Sequence, residues 1–431
     1  MKPYTWIPTL YFAEALPYTA VMTLSVLMYT KLGLTNTELA FYTSWLYLPW
    51  VIKPVWSPFI DRFRTKRWWI LSMQLLIGAA LAGVALTLPT ALWLRLSLAF
   101  FWLMAFSSAT HDIAADGFYI LSLNQEEQAL YVGIRSTFYR IGSIFCQGLL
   151  VMAAGWLEER YSISVAWSIT LLLLAALMTG LAGWHKLSLP KVEKAEHNIP
   201  DLTESDSLNE DNTRQEDYPF WLPTFIYPVA DTLRAFFSKP HIWAALLFML
   251  LFRLPEAQLA KMAQPFMLRT AEEGGLGLGT SAVGFAYGTL GLIGLLLGGI
   301  VGGWVVSRQG LRRWLWPMVL AISVPDVVYV YLSYAQPENL WIINACVFIE
   351  QLGYGFGFTA YMLFLVYFAR GEKSTSVFAL CTALQALGMM LPGMIAGWLA
   401  DQIGFRYFFI SVCLCTLVTF AVSGLIRRDL K

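Results

Sequence analysis

Apolar stretches of about 20 residues or more recur along the whole of this 431-residue chain. One such stretch, as a helix, spans the hydrocarbon core of a bilayer. Charged residues make up only 13% of the sequence, whereas a soluble domain carries about 25%. The chain is therefore predicted to be an all-α integral membrane protein, which excludes a soluble enzyme, a secreted domain and a nucleic-acid-binding protein. All five cysteines lie in apolar stretches, so we expect neither disulfides nor a metal site, and no motif indicates a cofactor.

About twelve membrane-spanning helices are predicted, in two sets of six. The first set covers roughly 6–30, 37–60, 68–89, 93–122, 134–156 and 164–185, and the second set covers 241–267, 280–306, 314–334, 339–369, 377–399 and 407–427. The stretch 191–217 is acidic and nearly free of aromatic residues, which is typical of a solvated linker. We therefore expect an N-terminal half (1–190), an acidic linker (191–240) and a C-terminal half (241–431).

The distribution of basic residues predicts the orientation. If the N-terminus is cytoplasmic, 19 Lys and Arg residues fall in inner segments and five fall in outer loops. Basic residues concentrate on the cytoplasmic side of membrane proteins. Both termini are therefore predicted to be cytoplasmic.

The two halves repeat each other at the ends of corresponding helices. One motif lies after the second helix of each half and comprises Ser57, Asp61, Arg62, Arg64, Lys66 and Arg67 in the first copy, and Gly303, Ser307, Arg308, Gly310, Arg312 and Arg313 246 positions later. A repeat of six plus six helices is typical of transporters whose halves rock about a central site. The alternative is that these basic residues only anchor tight cytoplasmic turns.

This repeated motif resembles the G-x-x-x-D-R-x-G-x-R-R signature of the major facilitator superfamily. The first copy lacks both glycines, and the second has Ser307 in place of the acid. The resemblance implies a major-facilitator fold, in which this loop controls a gate between the halves.

Ionisable residues inside the predicted helices are functional candidates, because a charge at the bilayer centre costs about 2.5–3.5 kcal/mol. Nine are placed there: Glu14, Lys53, Asp112, Asp116, Arg140, Arg253, Glu256, Asp326 and Glu350. Asp112 and Asp116 are four residues apart and share a helix face. Because two nearby carboxylates cannot both ionise cheaply, either one holds a proton or a cation pairs with them.

Three interpretations of this aspartate pair stay open: a proton-coupling site, a salt-bridge network that holds a gate shut, and an acid that merely extends to the interface. Lys53 and Arg140 are the predicted cationic partners. Glu14, Glu256 and Glu350 are the further proton-coupling candidates.

Substrate contacts are predicted for Lys53, Trp50, Trp56, Arg140 and Arg253. A buried guanidinium such as that expected of Arg140 needs either a carboxylate or a substrate anion, and Arg253 alternatively neutralises Glu256 three residues away. Trp50 and Trp56 flank Lys53 and are able to stack on a sugar ring, although they are equally typical of packing residues. His111 with Asp116 also matches the His-x4-Asp spacing of acyltransferases, but positions five apart on a helix point in different directions.

Several longer strings resemble AmpG-type anhydromuropeptide permeases. They are Lys53 with Trp56-Ser57-Pro58 and Asp61-Arg62, 108–116, Tyr139-Arg140-Ile141-Gly142, 348–351, 374–380, and Gly397-Trp398. The resemblance implies proton-driven import of GlcNAc-anhydroMurNAc, with or without peptide, across the bacterial inner membrane by a monomer. It also implies cell-wall recycling and, through it, β-lactamase induction.

The chain departs from that family at His111, Arg253 and Glu256, where Gln, Lys and Asp are usual, and by the additional acids Glu14 and Asp326. We expect these substitutions to affect the choice of substrate more than the coupling to protons. A carrier of another oligosaccharide, a peptide or a CoA ester, a membrane-embedded transferase, and a sensor without transport activity are the alternatives.

Overall fold

The computed structural model describes residues 2–191, 227–371 and 374–427, without the side chains of 61, 62, 125, 129, 227–230 and 375. Most of the predicted acidic linker therefore lies outside the described residues. All the secondary structure of the described part is helical.

Twelve long helical segments, here α1 to α12, can be traced through the described part. The N-terminal half contains α1 (Pro3–Lys31), α2 (Asn36–Trp45 and Leu48–Arg62), α3 (Lys66–Thr87), α4 (Trp93–Ser122), α5 (Gln125–Ile144, Phe145–Leu150 and Val151–Glu158) and α6 (Ile163–Ser188). The C-terminal half contains α7 (Ile242–Leu268), α8 (Thr280–Gln309), α9 (Leu311–Ala335), α10 (Leu340–Ala369), α11 (374–403) and α12 (405–426). A short linker helix, Tyr227–Phe237, precedes α7.

Nine helices of the described part are long and apolar enough to cross a membrane. One of them, Ser376–Ile426, contains both α11 and α12, which meet at the non-helical Gly404. α2 and α4 are absent from the nine: α2 is interrupted before Leu48, and α4 contains the acidic pair. The integral membrane fold is confirmed, and the count of twelve spans stays a prediction.

A proline interrupts α7. Pro255 has no backbone N–H and its ring excludes a regular helix before it, so α7 divides into Ile242–Leu251 and Leu254–Leu268. Arg253 is the N-cap residue of the second part.

The repeated loop motif has a similar backbone in both halves. Arg64 has φ +62° and Gly310, at the equivalent position, has φ +79°. Positive φ is favourable for glycine and costs energy for residues with a Cβ. The missing glycine of the first copy therefore leaves its turn strained at Arg64.

Close approach of helices from opposite halves requires glycine in α5 and α8. A Cβ at Gly288 would lie within van der Waals overlap of the Gln147 carbonyl, and one at Gly284 would lie 2.9 Å from Val151. Small residues let membrane helices approach in this way. These glycines of α8 thus have a packing role.

The apolar core is continuous across the halves at one end only. We define the distal end as the end that carries the loops after α1, α3, α5, α7, α9 and α11, and the terminal end as the opposite one. One buried cluster joins α1, α3 and α5 to α7, α10 and α12 toward the distal end. Toward the terminal end each half has its own cluster: one around Trp6 and Phe118 in the N-terminal half, and one around Phe248 and Tyr361 in the C-terminal half.

Polar contacts join the halves at the same distal end. Asp401 accepts hydrogen bonds from the Thr37 backbone N–H (2.8 Å) and hydroxyl (2.6 Å), and Thr280 donates to Glu158 (2.6 Å). Arg269 donates to the Leu34 carbonyl. The molecule is therefore closed at the distal end, and the separated cores indicate a space between the halves toward the terminal end.

Candidate functional site

Three carboxyl groups from two helices meet in the N-terminal half. Asp112 and Asp116 project from one face of α4, as their spacing predicts, and Glu14 of α1 lies opposite them. Carboxylate oxygens of the three residues lie within 4.8 Å of one another. We call this group the acidic cluster.

Two cations from neighbouring helices pair with the acidic cluster. Lys53 of α2 forms an ion pair with Asp112. Arg135 of α5 pairs with Asp116 at 2.6 Å, and its guanidinium lies 4.4 Å from the centre of the Tyr11 ring. The Tyr11 hydroxyl also donates to Asp116 at 3.4 Å. Three carboxyl groups therefore share two cations.

The unpaired member of the acidic cluster is Glu14. Its side chain is 7% exposed, and its Oε2 has no hydrogen-bond partner among the described residues. No ion pair of Glu14 is present in the described part of the chain. An isolated buried carboxylate is costly, so Glu14 is the member of the cluster best suited to hold a proton.

Other members of the acidic cluster and their partners are partly exposed. The exposed side-chain fraction is 23% for Asp112, 39% for Asp116 and 31% for Arg135. Charged groups do not face lipid at low cost. Their exposed surfaces therefore line the space between the helices and are accessible to water.

The predicted pairing of Arg140 with the two aspartates is not found among the described residues, whereas that of Lys53 is. The side chain of Arg140 is exposed, and the ion pairs of the two aspartates are made by Lys53 and by Arg135, five residues earlier on α5. A shift of five positions turns a side chain by about 140° around the helix. The helix face decides which arginine reaches α4, and the sequence prediction chose the wrong face.

The two tryptophans beside Lys53 have different surroundings. Trp50 is half-buried and contacts Tyr18 of α1 edge to face, with ring centres 5.3 Å apart. Trp56 packs against Phe106 of α4 at 5.7 Å, and its buried indole N–H has no partner among the described residues. Trp50 thus lies against α1, and Trp56 lies against α4 with one unsatisfied donor.

The second charged group of the site lies in the C-terminal half. Arg253 pairs with Glu256 at 3.5 Å and donates to the Tyr354 hydroxyl at 2.6 Å. Its guanidinium also lies 4.7 Å from the Phe358 ring centre. The two residues do neutralise each other, although Glu256 Oε2 has no partner among the described residues. This charge pair lies next to Tyr18 and Tyr47 of the N-terminal half.

Glu350 and Asp326 form a separate buried acidic pair in the C-terminal half, and each is 5% exposed. Glu350 accepts hydrogen bonds from the Gln351 amide at 3.0 Å and from the Tyr329 hydroxyl at 3.5 Å. Neither acid has an ion pair within the described ranges. Glu350 is therefore surrounded by neutral donors, unlike Asp112 and Asp116.

The loop motif lies at the terminal end in both halves. Arg67 donates to the Lys186 carbonyl of α6 at 2.5 Å, and the stem of Lys66 packs on Gly117 of α4. Ser307 donates to the Trp304 carbonyl of its own helix, and the Arg308 guanidinium lies 4.6 Å from the Trp304 ring centre. Arg312 and Arg313 are exposed, and the side chains of Asp61 and Arg62 lie outside the described residues.

His111 is fully buried and hydrogen-bonded away from the acidic cluster. Its Nε2 lies 3.0 Å from the Gln74 amide nitrogen, and Gln74 in turn contacts His185 at 2.9 Å. This arrangement joins α3, α4 and α6. It does not orient His111 toward Asp116 as an acyltransferase base.

The acidic cluster also has the geometry to hold a metal cation. Lys53 and Arg135 already contact two of its three carboxylates, so the protein's own cations compete for the same oxygens. Sequence analysis missed several residues of the site, among them Tyr11, Tyr18, Arg135 and Tyr354. The signal available for Arg135 was its position well inside α5.

Comparison with known proteins agrees with this fold. Residues 9–393 match the family model of the Major Facilitator Superfamily. The chain is 28% identical to the anhydromuropeptide permease of Escherichia coli (strain K12) over 88% of this chain and 69% of that protein. It is 25% identical to a putative AmpG transporter of Rickettsia conorii over 86% of this chain and 83% of the relative. The resemblance that the motifs indicate is thereby confirmed.

Solved structures show the same fold at low sequence identity. The nucleoside transporter NupG superposes with a TM-score of 0.70 at 13% identity, covering 97% of this chain and 98% of that one. A POT family transporter in complex with a thioalcohol-conjugated peptide also gives 0.70, at 14% identity, covering 99% and 96%. The family model and the similarity to the permease confirm the prediction that the chain is a transporter and not an enzyme. The chain belongs to the Major Facilitator Superfamily of membrane transporters.

Proposed function

We propose that this protein imports peptidoglycan-derived muropeptides, GlcNAc-anhydroMurNAc with or without peptide, across the bacterial inner membrane in symport with protons. The similarity to the Escherichia coli permease supports this substrate class. The transporter acts as a monomer with both termini in the cytoplasm, so the distal end faces the periplasm. The described conformation is then open toward the cytoplasm.

The observation that carries proton coupling is the count of charges in the acidic cluster: three carboxyl groups and two cations. Three ionised carboxylates at such distances would repel one another. A single shared proton removes the excess charge, and its apparent affinity belongs to the cluster as a whole. In this conformation Glu14 holds that proton, while Asp112 and Asp116 are held by Lys53 and Arg135.

Movement of that proton alters the ion pairs. If the proton moves from Glu14 to Asp116, the pair between Asp116 and Arg135 loses its attraction, and Arg135 is released from α4. Because Arg135 and Glu14 lie on α5 and α1, proton transfer changes the contacts among the helices that border the central space. This is how protonation biases the equilibrium between the two access states.

The substrate occupies the space between the acidic cluster and the pair formed by Arg253 and Glu256. Trp50 and Tyr18 offer aromatic surfaces on which a sugar ring stacks. Arg253 offers a planar guanidinium for a carboxylate. Lys53, Trp56 and Arg140 remain candidates for contacts with the rest of the ligand.

Uptake into proteoliposomes with an imposed pH gradient tests the proposed function. Labelled GlcNAc-anhydroMurNAc-peptide is expected to accumulate when the outside is acidic, and a sodium gradient of equal size is expected to have no effect. Labelled disaccharides without the anhydromuramyl unit serve as the comparison. Equal accumulation of plain disaccharides, or dependence on sodium, would contradict the substrate or the coupling ion respectively.

A further inference from the structure

A buried lysine lies between the two halves at the distal side of the site. Lys261 of α7 is 5% exposed, and its ammonium donates to the hydroxyl of Thr43 on α2 at 3.1 Å. The same ammonium lies 5.2 Å from the centre of the Tyr47 ring. No ion pair between Lys261 and an acid occurs among the described residues.

These contacts satisfy only part of the ammonium group. A lysine ammonium has three N–H donors, and here one hydroxyl accepts a hydrogen bond while the Tyr47 ring contributes a weaker cation–π attraction. A buried charge without a counter-charge is unfavourable. Lys261 therefore lacks an anionic partner in this conformation.

A second polar group beside Lys261 also lacks a partner. Ser44 is fully buried, and its hydroxyl has no hydrogen-bond partner among the described residues. A Cβ on Gly393 of α11 would lie 3.0 Å from Ser44 Oγ and 3.2 Å from Lys261 Cγ. Both side chains thus lie against the same glycine, which places a second polar group without a described partner near the stem of Lys261.

Lys261 and its neighbours lie where the two halves meet, so their surroundings depend on whether the distal end is open or closed. Thr43, Ser44 and Tyr47 belong to the N-terminal half, and Lys261 and Gly393 belong to the C-terminal half. When the halves separate at the distal end, water reaches the ammonium and its burial cost disappears. When they close, the ammonium has three possibilities: it is buried without a counter-charge, it loses its proton, or an anion accompanies it.

We propose that Lys261, with Thr43 and Ser44, forms a binding site for a carboxylate of the substrate. The substrate carboxylate meets Lys261 while the distal end is open and neutralises the ammonium as that end closes. The anionic ligand thereby favours closure of the loaded transporter over closure of the empty one. This inference builds on the proposed function, since muropeptides carry carboxylates on the lactyl group or on the peptide.

A comparison of charged and neutral ligands in proteoliposomes tests the site. The wild type is expected to take up a labelled muropeptide with a KM at least about tenfold lower than that of its methyl ester. In Lys261→Met the KM for the free acid should rise to that of the ester, while uptake of the ester stays unchanged. Lys261→Arg keeps the charge and should restore most of the preference. Lys186→Met, at an exposed side chain, is the matched control.

A binding measurement separates this inference from the proposed function. N-acetylmuramic acid, which has a carboxylate, should raise the unfolding temperature of the purified wild type more than its methyl ester does, and Lys261→Met should abolish the difference. If the wild type shows this shift but transports no muropeptide, the proposed function fails and the carboxylate site stands. The site is disproved if the wild type does not distinguish acid from ester, if Lys261→Met keeps the distinction, or if that variant loses acid and ester uptake equally.

Discussion

The two halves of this transporter treat their buried charges differently. In the N-terminal half, Asp112 and Asp116 receive cations from α2 and α5. In the C-terminal half, Glu350 is surrounded by neutral donors, and Lys261 has no acid beside it in the described part. The difference distinguishes two kinds of site. In the N-terminal half the charges form a network of ion pairs, whereas Glu350 and Lys261 have no ion pair in the described part.

Removing a cation from the paired network is the largest predicted effect. Lys53→Met leaves Asp112 without its partner, and an uncompensated charge of this kind costs several kcal/mol when buried. We expect muropeptide uptake to fall about 100-fold. Uptake into proteoliposomes and the amount of folded protein after purification are the two measurements.

Lys186→Met is the control for this experiment, since the side chain of Lys186 is exposed. The double variant with Lys53→Met and Asp112→Asn removes both charges. It should give more folded protein after purification than Lys53→Met alone. Unchanged uptake in Lys53→Met would show that the pair with Asp112 is dispensable.

Neutralising Glu14 should uncouple transport from the pH gradient. Glu14→Gln imitates the protonated carboxyl permanently, so the acidic cluster can no longer release its proton. Accumulation driven by a pH gradient should disappear, while exchange of labelled for unlabelled substrate without a gradient persists. Exchange needs only reorientation of the loaded carrier.

Asp116→Asn tests the carboxyl group to which the proton of Glu14 is proposed to move. It should likewise abolish accumulation, because Arg135 loses its ionised partner. If both variants still concentrate substrate in response to pH, the cluster is a gate network and the coupling acid lies elsewhere. A changed rate or affinity with intact pH response is the signature of that alternative.

Two arginines on α5 offer a matched pair of conservative substitutions. Arg135→Lys keeps the charge but loses the planar contact with Tyr11 and the geometry of the bond to Asp116. We expect uptake to fall about tenfold. The same exchange at the exposed Arg140 should have a smaller effect, and the reverse ranking would show that Arg140 is the important contact during transport.

The smallest effect is predicted for Glu350→Gln. Glu350 has no cationic partner in the described ranges, so a neutral amide of the same shape breaks no ion pair there and keeps one acceptor oxygen for Gln351 and Tyr329. We expect less than a threefold change in uptake and an unaltered response to the pH gradient. Loss of accumulation in Glu350→Gln would move the coupling site into the C-terminal half and remove the distinction between the halves.

Local sequence was sufficient for much of this description. The shared face of Asp112 and Asp116 follows from a spacing of four on one helix, and the division of α7 follows from Pro255. The positive φ at Gly310 follows from a glycine in the repeated motif, although the same φ at Arg64 could not be expected from an arginine. Each of these properties depends on residues within a few positions of one another.

Partners between helices could not be predicted in the same way. Arg135 and Arg140 are both basic residues on α5, and only the rotation of that helix against α4 determines which one reaches Asp116. Glu14 joins the acidic cluster because α1 packs between α4 and α5, which no local pattern reveals.

The sequence by itself determined that this is a membrane protein of repeated helices with charges inside the bilayer, because apolar length and charge placement are properties of each segment. Only the tertiary structure decided which charges neutralise one another, that Glu14 and Lys261 have no counter-charge in the described part of the chain, and that the halves meet at the distal end. The physical reason is that an ion pair depends on distances of a few ångströms between helices, and those distances are set by packing.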